Sequence, residues 1–287
     1  MITTHTGNRD TSRFSFEFFP PKTEIGEQKL ADVHRELALL KPDFFSVTYG
    51  AGGSTRDGTR QAVMNIHQAG SAVAPHLSFG GSSEDEIRAL LNFYKDAGIS
   101  RLVALRGDVP SGTGGANSFY YANELIAFIR RETGDHFHIE VACYPEIHPK
   151  SESYDSDLFY FKQKVDAGAN SALTQYFYNP DAYFYYVESC QAAGIDIPIV
   201  PGIMPISNYT NLARFSSSCG AEIPRWMRQR LQGYGDDTES IREFGIETVS
   251  RLCETLLQGG APGLHFYTMN QADTVRSIWQ NLNLSER

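Results

Sequence analysis

Short runs of β-branched and aromatic residues recur along the chain, and stretches with helical spacing separate most of them. Each helical stretch ends near a glycine or a proline, as a helix stop would. This alternation predicts an α/β fold with a parallel sheet. The eight runs are Phe14 to Phe19, Phe44 to Tyr49, Ala72 to Leu77, Leu102 to Leu105, Ile139 to Tyr144, Ala172 to Tyr178, Ile197 to Ile203 and Leu264 to Tyr267.

Eight strand and helix units in about 250 residues match the size and order of a (β/α)₈ TIM barrel. A doubly wound open sheet typically has fewer strands and an early glycine-rich fingerprint, which this chain lacks. The interval between the seventh and eighth runs is the longest, and its apolar spacing predicts an extra helix there. No linker-like stretch divides the chain, so we expect residues 1–287 to form a single barrel domain.

Composition argues against several classes of protein. A net charge of −9 opposes binding to nucleic acid, which needs a basic surface. The four cysteines and the histidines lack the spacing of a zinc site or a redox dithiol, so we predict no metal. The chain shows no secretory signal and no apolar run of roughly 20 residues, so we expect a cytoplasmic protein without membrane contact.

Glu17 is the first candidate catalytic residue because it lies among phenylalanines in the first predicted strand. Side chains alternate along a strand, so Phe14, Phe16 and Phe18 share one face, while Ser15 and Glu17 share the other. If the phenylalanines pack against helices, Glu17 points into the barrel. Apolar surroundings would raise its pKa toward neutrality, where a general acid is effective. The alternative, an edge-strand glutamate facing water, fits the barrel less well.

Polar residues close five of the predicted strands, and a barrel places its active site at the carboxyl ends of its strands. We therefore expect these residues to converge on one rim. They are Thr48, Tyr49 and Ala51 after the second strand, His76 at the third, Arg106, Gly107 and Asp108 at the fourth, Tyr144 and His148 at the fifth, and Gln175 at the sixth.

Two of the charged pairs have simpler alternatives. Arg106 and Asp108 could form a local salt bridge that stabilises a loop. Asp157 and Lys164 are seven residues apart and so share a helix face, where they could form a solvated ion pair or the lysine could meet a phosphate.

Several motifs together resemble the methylenetetrahydrofolate reductase family, and they span nearly the whole chain. The length resembles the short bacterial-type form, which has no C-terminal regulatory domain. The motifs are Ser15 to Pro21, Val47 to Ala51, Ala104 to Asp108, Tyr144 to Pro149, Lys164 to Asn170, Thr174-Gln175, Pro201 to Pro205 and His265 to Thr268.

The resemblance implies an oxidoreductase of one-carbon metabolism and methionine supply, with FAD bound non-covalently. NADH or NADPH would first reduce the flavin and leave, and 5,10-methylenetetrahydrofolate would then take its place and become 5-methyltetrahydrofolate, a ping-pong sequence. The implied partners are these small molecules and further copies of the chain in a homo-oligomer.

The resemblance also implies roles for individual residues. Glu17 would be the general acid that assists opening of the folate five-membered ring, and Asp108 the carboxylate that holds the pterin near the flavin. Gln175 and Phe215 would contact folate. Gln271 stands where the family commonly has an arginine, so a positive charge for the folate tail is missing. The residues implied to bind FAD or nicotinamide are Thr48, Tyr49, Ala51, His76, Arg106, Gly107, Asp108, Tyr121, Ala122, Tyr144, His148, Asp157 and Lys164.

Two other functions compete with this interpretation. Gln271 motivates a flavin- or folate-binding barrel with impaired turnover, although Glu17, Asp108 and Gln175 argue against that loss. A flavin-free pterin methyltransferase-type barrel is the second alternative, and a colourless purified protein would favour it.

Overall fold

A computed structural model describes residues 12–49, 56–79, 82–106 and 121–284. The strands are β1 (Arg13–Phe18), β2 (Phe44–Val47), β3 (Val73–Leu77), β4 (Arg101–Ala104), β5 (His138–Cys143), β6 (Ser171–Thr174), β7 (Ile199–Val200), β8 (Gly202–Ile203) and β9 (Gly263–Tyr267). The helices are α1 (Glu24–Ala38), α2 (Arg56–Gln68), α3 (Glu84–Asp96), α4 (Ala122–Thr133), α5 (Tyr154–Asp166), α6 (Pro180–Ala192), α7 (Tyr209–Cys219), α8 (Arg225–Tyr234), α9 (Thr238–Gln258) and α10 (Asp273–Asn281).

The strands form a parallel sheet in the order β7-β6-β5-β4-β3-β2-β1-β9-β8. The two ends of this order are the halves of one predicted strand, Ile197 to Ile203, which Pro201 divides. Proline has no backbone N–H to donate to a neighbouring strand, so the ladder changes partner there. β7 pairs with β6, whereas β8 pairs with β9, and the sheet closes on itself. The predicted (β/α)₈ barrel is confirmed.

The interval between β8 and β9 holds three helices. The predicted extra helix is confirmed, and the insertion has two extra helices where one was predicted. The long helix α9 leads back into β9 in the manner of the other barrel helices, so α7 and α8 are the additions. Asn208 caps α7 by accepting a hydrogen bond from the backbone N–H of Asn211 at 2.8 Å. Asp237 caps α9 in the same way.

The core has two layers, as the alternation along β1 predicted. Phe14, Phe16 and Phe18 are fully buried in the layer between strands and helices, where the Phe14 ring meets Trp279 at 5.0 Å. Burying one such side chain stabilises the fold by about 2 kcal/mol. A separate apolar cluster fills the barrel interior, and its buried members are Phe44, Ala74, Val103, Leu173 and Val200. Glu17 therefore faces the interior.

Within the described ranges, no helix is both long and apolar enough to cross a membrane.

Candidate functional site

The Glu17 carboxylate lies inside the barrel between two histidines from other strands. Its Oε2 is 3.3 Å from Nε2 of His76 on β3 and 3.4 Å from Nε2 of His265 on β9. The Ser46 hydroxyl on β2 donates to the same oxygen over 3.4 Å. The Glu17 side chain is 16% exposed and that of His265 is fully buried. We call Glu17, His76 and His265 the Glu17 cluster.

His265 is oriented by a second contact. Its Nδ1 forms a 2.7 Å hydrogen bond with the Ser15 hydroxyl, which points into the barrel from the same strand as Glu17. The ring also lies nearly parallel to that of Phe44, at 6.2 Å between centroids. These contacts leave Nε2 directed at Glu17. Nowhere in the described ranges do three His, Cys, Asp or Glu side chains form a group suited to a metal ion.

The expected rise in the pKa of Glu17 is wrong for the protein without ligands. Burial does raise this pKa, but the charges of His76 and His265 and the hydrogen bond of His265 lower it by more, to about 2 from an ordinary 4.5. Glu17 is thus an ionised carboxylate at neutral pH.

This pKa predicts a pH dependence of stability. Because the pKa of Glu17 is lower in the folded than in the unfolded chain, its contribution is complete above pH 4.5 and is lost as the pH falls toward 2. The loss amounts to about 3 kcal/mol. Urea unfolding of the wild type and of Glu17→Gln between pH 5 and 2 should show a smaller decline for the variant by about this amount. Parallel declines would contradict the assignment.

Tyr267 on β9 bridges to β6 at the point where the predicted strand Ile197 to Ile203 divides into β7 and β8. Its hydroxyl donates a 2.7 Å hydrogen bond to the carbonyl of Thr174 on β6, and the backbone N–H of Gly202 donates to the Thr174 hydroxyl over 2.9 Å. Burial, and then the negative charge of Glu17, raise the pKa of Tyr267, so its hydroxyl stays protonated and able to donate. A β carbon on Gly202 would lie 2.2 Å from the Thr174 carbonyl oxygen, so only glycine fits there.

The loop after β9 is fastened to the loop after β1. The Thr268 hydroxyl donates to the carbonyl of Glu17 over 2.7 Å, and the Asn270 amide bonds both the N–H and the carbonyl of Phe19, at 3.1 and 2.9 Å. Met269 and Asn270 adopt the left-handed region, with φ of 52° and 53°. The side chain of Gln271 is exposed beside this clamp.

Two buried polar atoms at the carboxyl ends of β2 and β3 make no hydrogen bond within the described part of the chain. They are the Thr48 hydroxyl and Nε2 of His76. The 3.3 Å approach of His76 to Glu17 satisfies the distance of an ion pair without forming a hydrogen bond. Thr48 itself is held by its backbone, whose N–H donates to Phe18 and whose carbonyl accepts from Thr59. Burying such atoms is costly, so both suit a polar ligand.

The loop after β5 and helix α5 bring three further candidates together. Asp157 accepts hydrogen bonds from the backbone N–H of His148 at 3.0 Å and the Ser151 hydroxyl at 3.1 Å. The His148 ring meets that of Tyr144 edge-on, at 4.5 Å between centroids. Lys164 donates to the carbonyl of Ala142. Asp157 and Lys164 thus have partners other than each other, and the solvated ion pair is wrong.

Burial changes the pKa values of Lys164 and His148. It lowers the pKa of Lys164, and nearby Cys143 and Asp157 oppose the change. It also lowers the pKa of His148, against the charge of Asp157. Both groups would gain from an anionic ligand.

The end of β4 contributes an exposed arginine on an aromatic ring. The Arg106 guanidinium lies 5.3 Å from the centroid of Tyr121, whose ring stacks on Tyr160 at 6.3 Å. Ala122 is the first residue of α4. The predicted site residues Ala51, Gly107 and Asp108 lie outside the described residues, as does the proposed Arg106–Asp108 salt bridge.

Gln175 and Phe215 come from different elements. Gln175 directly follows β6, and its side-chain oxygen accepts from the backbone N–H of Tyr176 at 3.0 Å. Phe215 lies on α7, half-buried against the main core. Tyr49 is half-buried directly after Thr48.

Sequence analysis missed His265, Tyr267, Ser15, Ser46 and Asn270 as members of this site. Alternation along β9 could have identified His265 and Tyr267, because they are two residues apart and share the inward face. Asn270 gave no such signal, since its role depends on a left-handed turn.

A cavity of about 410 Å³ lies elsewhere, between α1 and α2. Its lining includes Leu30, His34, Ala38 and Ile66. The His34 ring packs against Phe18 and Phe45 in the layer outside the strands, so this cavity is separate from the barrel interior that holds Glu17.

Residues 2–283 match the family described as Methylenetetrahydrofolate reductase. The 5,10-methylenetetrahydrofolate reductase of Buchnera aphidicola subsp. Schizaphis graminum is 42% identical over 270 residues, which cover 94% of this chain and 91% of that protein. The enzyme of that name from Escherichia coli K12 is 40% identical over 271 residues, covering 94% and 90%.

Among solved structures, an uncharacterized protein from Clostridium thermocellum that binds two copies of 5-methyl-5,6,7,8-tetrahydrofolic acid superposes with a TM-score of 0.68. It covers 97% of this chain and 96% of its own, at 17% identity, which supports the barrel fold. An N-acetylneuraminate lyase from Fusobacterium nucleatum reaches a TM-score of 0.51 at 15% identity, covering 99% of this chain and 77% of its own. The match along nearly the entire sequence, together with the bacterial relatives, shows that the chain belongs to the methylenetetrahydrofolate reductase family.

Proposed function

We propose that the protein reduces 5,10-methylenetetrahydrofolate to 5-methyltetrahydrofolate with NADH or NADPH, through non-covalently bound FAD and in ping-pong order. Family membership supports the reaction. The observation that carries the proposal is the Glu17 cluster, a single carboxylate held between two histidines inside the barrel. The whole reaction is assigned to this one barrel.

The described residues fit a flavin nucleotide. At two strand ends, the buried Thr48 hydroxyl and Nε2 of His76 make no hydrogen bond within the described part of the chain, although His76 lies 3.3 Å from Glu17. Arg106 and Lys164 supply cations near the ends of β4 and β5, and His148 adds an imidazole beside them, where pyrophosphate or ribose oxygens would be good partners. Bound FAD would accept a hydride from nicotinamide and pass it to folate. Tyr121 and Tyr144 add aromatic surface to the same region.

Glu17 would handle the proton of the folate half-reaction. Opening the five-membered ring breaks the bond between the methylene carbon and one nitrogen, and that nitrogen takes up a proton. The other nitrogen is left as an iminium, whose methylene carbon accepts the hydride and becomes a methyl group. Because Glu17 is ionised in the free protein, it would have to be protonated before it passes a proton to that nitrogen in the folate half-reaction.

The remaining assignments follow the family resemblance. Asp108 would hold the pterin, Gln175 would contact folate and nicotinamide in turn, and Phe215 would pack on the folate ring. A neutral Gln271 would attract the carboxylates of the folate tail less strongly than an arginine does.

Stopped-flow spectroscopy of the purified protein tests the proposal. We expect a yellow protein whose flavin absorption is bleached by NADH or NADPH and then restored by methylenetetrahydrofolate under anaerobic conditions. Bleaching without recovery would favour a flavin-binding barrel with impaired turnover. A colourless protein that cannot be reconstituted with FAD would favour the flavin-free alternative.

A further inference from the structure

Helix α7, which carries Phe215, is attached to the barrel by a buried pair of hydroxyl groups. The Tyr176 hydroxyl lies 3.0 Å from the Ser216 hydroxyl, and the two residues are only 3% and 5% exposed. A hydroxyl buried without a partner would cost stability, so the Ser216 hydroxyl gains from Tyr176, whose own hydroxyl also contacts the Cys219 thiol.

The two bonded residues each stand next in sequence to a residue that we propose contacts folate. Tyr176 directly follows Gln175 at the end of β6, and Ser216 directly follows Phe215 on α7. The Tyr176 ring also lies edge-on to Tyr267, at 6.4 Å, so it belongs to the region where the barrel closes. A shift of α7 would therefore change the position of Phe215 relative to Gln175.

Most of the apolar contacts of α7 are only partly buried. Of its 11 residues, Leu212 and Ser216 are buried, while Tyr209, Ala213, Phe215 and Cys219 are partly buried against the main core. Its flanking loops are tied by Tyr178, whose hydroxyl donates to the Met204 carbonyl over 3.3 Å, and by Glu146, which accepts from the N–H of Glu222 at 2.8 Å. Between these two ties, the Tyr176–Ser216 bond links the body of the helix to the segment after β6, and the Cys219 thiol at the end of α7 lies beside the same tyrosine hydroxyl.

We propose that the Tyr176–Ser216 hydrogen bond is a latch that fixes Phe215 over the bound folate, so that Tyr176 and Ser216 are positioning residues for the folate half-reaction. The catalytic part of this proposal rests on the proposed function. The bond lies outside the Glu17 cluster. Because Phe215 is assigned to folate alone, we expect its loss to affect the folate half-reaction more than the reduction of flavin by nicotinamide.

The experiment compares Tyr176→Phe, Ser216→Ala and the double variant with the wild type. Each single variant should raise the KM for methylenetetrahydrofolate or slow flavin reoxidation by folate about 3- to 10-fold, the worth of one neutral hydrogen bond. The rate of flavin reduction by NAD(P)H should change by less than about 2-fold. The double variant should be no worse than the singles, because all three lack the same bond. Ser217→Ala removes the adjacent exposed hydroxyl of α7 and is the matched control, expected to behave as wild type.

Amide hydrogen exchange supplies a readout that does not depend on turnover. Exchange within residues 209–219 should accelerate in Tyr176→Phe and Ser216→Ala, and not in the control. Unchanged exchange in α7 would overturn the latch, whether or not the protein proves to be a reductase. Equal slowing of both half-reactions would overturn the positioning role and leave a general packing defect. If folate does not reoxidise the flavin of the wild-type protein, the proposed function and the catalytic role of the latch are both refuted. In that case the amide exchange of residues 209–219 alone decides whether the bond holds the helix.

Discussion

Glu17→Gln is expected to slow flavin reoxidation by methylenetetrahydrofolate about 10²- to 10⁴-fold, the range typical of a lost general acid. The amide keeps the size of the side chain but cannot pass on a proton. Reduction of the flavin by NAD(P)H needs no proton donor at this position and should stay within about 3-fold of the wild type, below the loss that a missing general acid causes. Anaerobic stopped-flow measurements resolve the two half-reactions.

Glu140→Gln is the matched control for this result. Glu140 is a second buried carboxylate of the barrel, paired with Arg101 and hydrogen-bonded to Ser171, and it makes no contact with Glu17. Its loss should lower the free energy of unfolding without slowing the folate half-reaction selectively. If Glu17→Gln slowed both half-reactions equally, Glu17 would be a structural residue and its role as acid would be wrong.

Gly202→Ala is expected to lower the free energy of unfolding by about 4 kcal/mol. The new β carbon would stand 2.2 Å from the Thr174 carbonyl oxygen, which belongs to the backbone and cannot move aside. It would also stand 2.7 Å from Cε2 of Tyr267, so this ring would have to leave its 2.7 Å hydrogen bond to Thr174. Overpacking and a lost hydrogen bond therefore add together, and equilibrium urea unfolding measures their sum.

Gly233→Ala provides the control for the general effect of replacing a glycine. Gly233 lies within α8, and a β carbon there meets nothing within 4 Å. Alanine is the better helix former, so this variant should gain about 0.5–1 kcal/mol. A Gly202→Ala protein as stable as the wild type would show that β6, β8 and β9 do not pack as closely as described.

Much of the fold follows from local patterns. Each of the eight predicted runs overlaps at least one strand, and the alternation of Phe14, Phe16 and Phe18 predicted which face of β1 meets the helices. The same alternation directed Glu17 into the barrel. Capping at Asn208 and Asp237 explains why helices begin where they do in the insertion, although its size was underestimated.

The pKa of Glu17 did not follow from local patterns. Its aromatic neighbours in sequence pointed to a raised pKa, but those rings lie on the opposite face of the strand. The groups that decide the pKa are His76 and His265, and the contact with His265 spans 248 positions of the chain. Similarly, Asp157 and Lys164 share a helix, yet the loop after β5 and the Ala142 carbonyl are their partners.

By itself, the sequence determined the order of strands and helices, the inward face of β1 and the family, because these depend on periodicity and motifs within short segments. Closure of the barrel decided the rest. It determined which histidines flank Glu17, how the Tyr267 hydroxyl bonds β6 where Pro201 interrupts the strand pairing, and how α7 is attached. The physical reason is that hydrogen bonds and charge interactions act over a few ångströms, and residues far apart in the chain reach that range only once the sheet has closed.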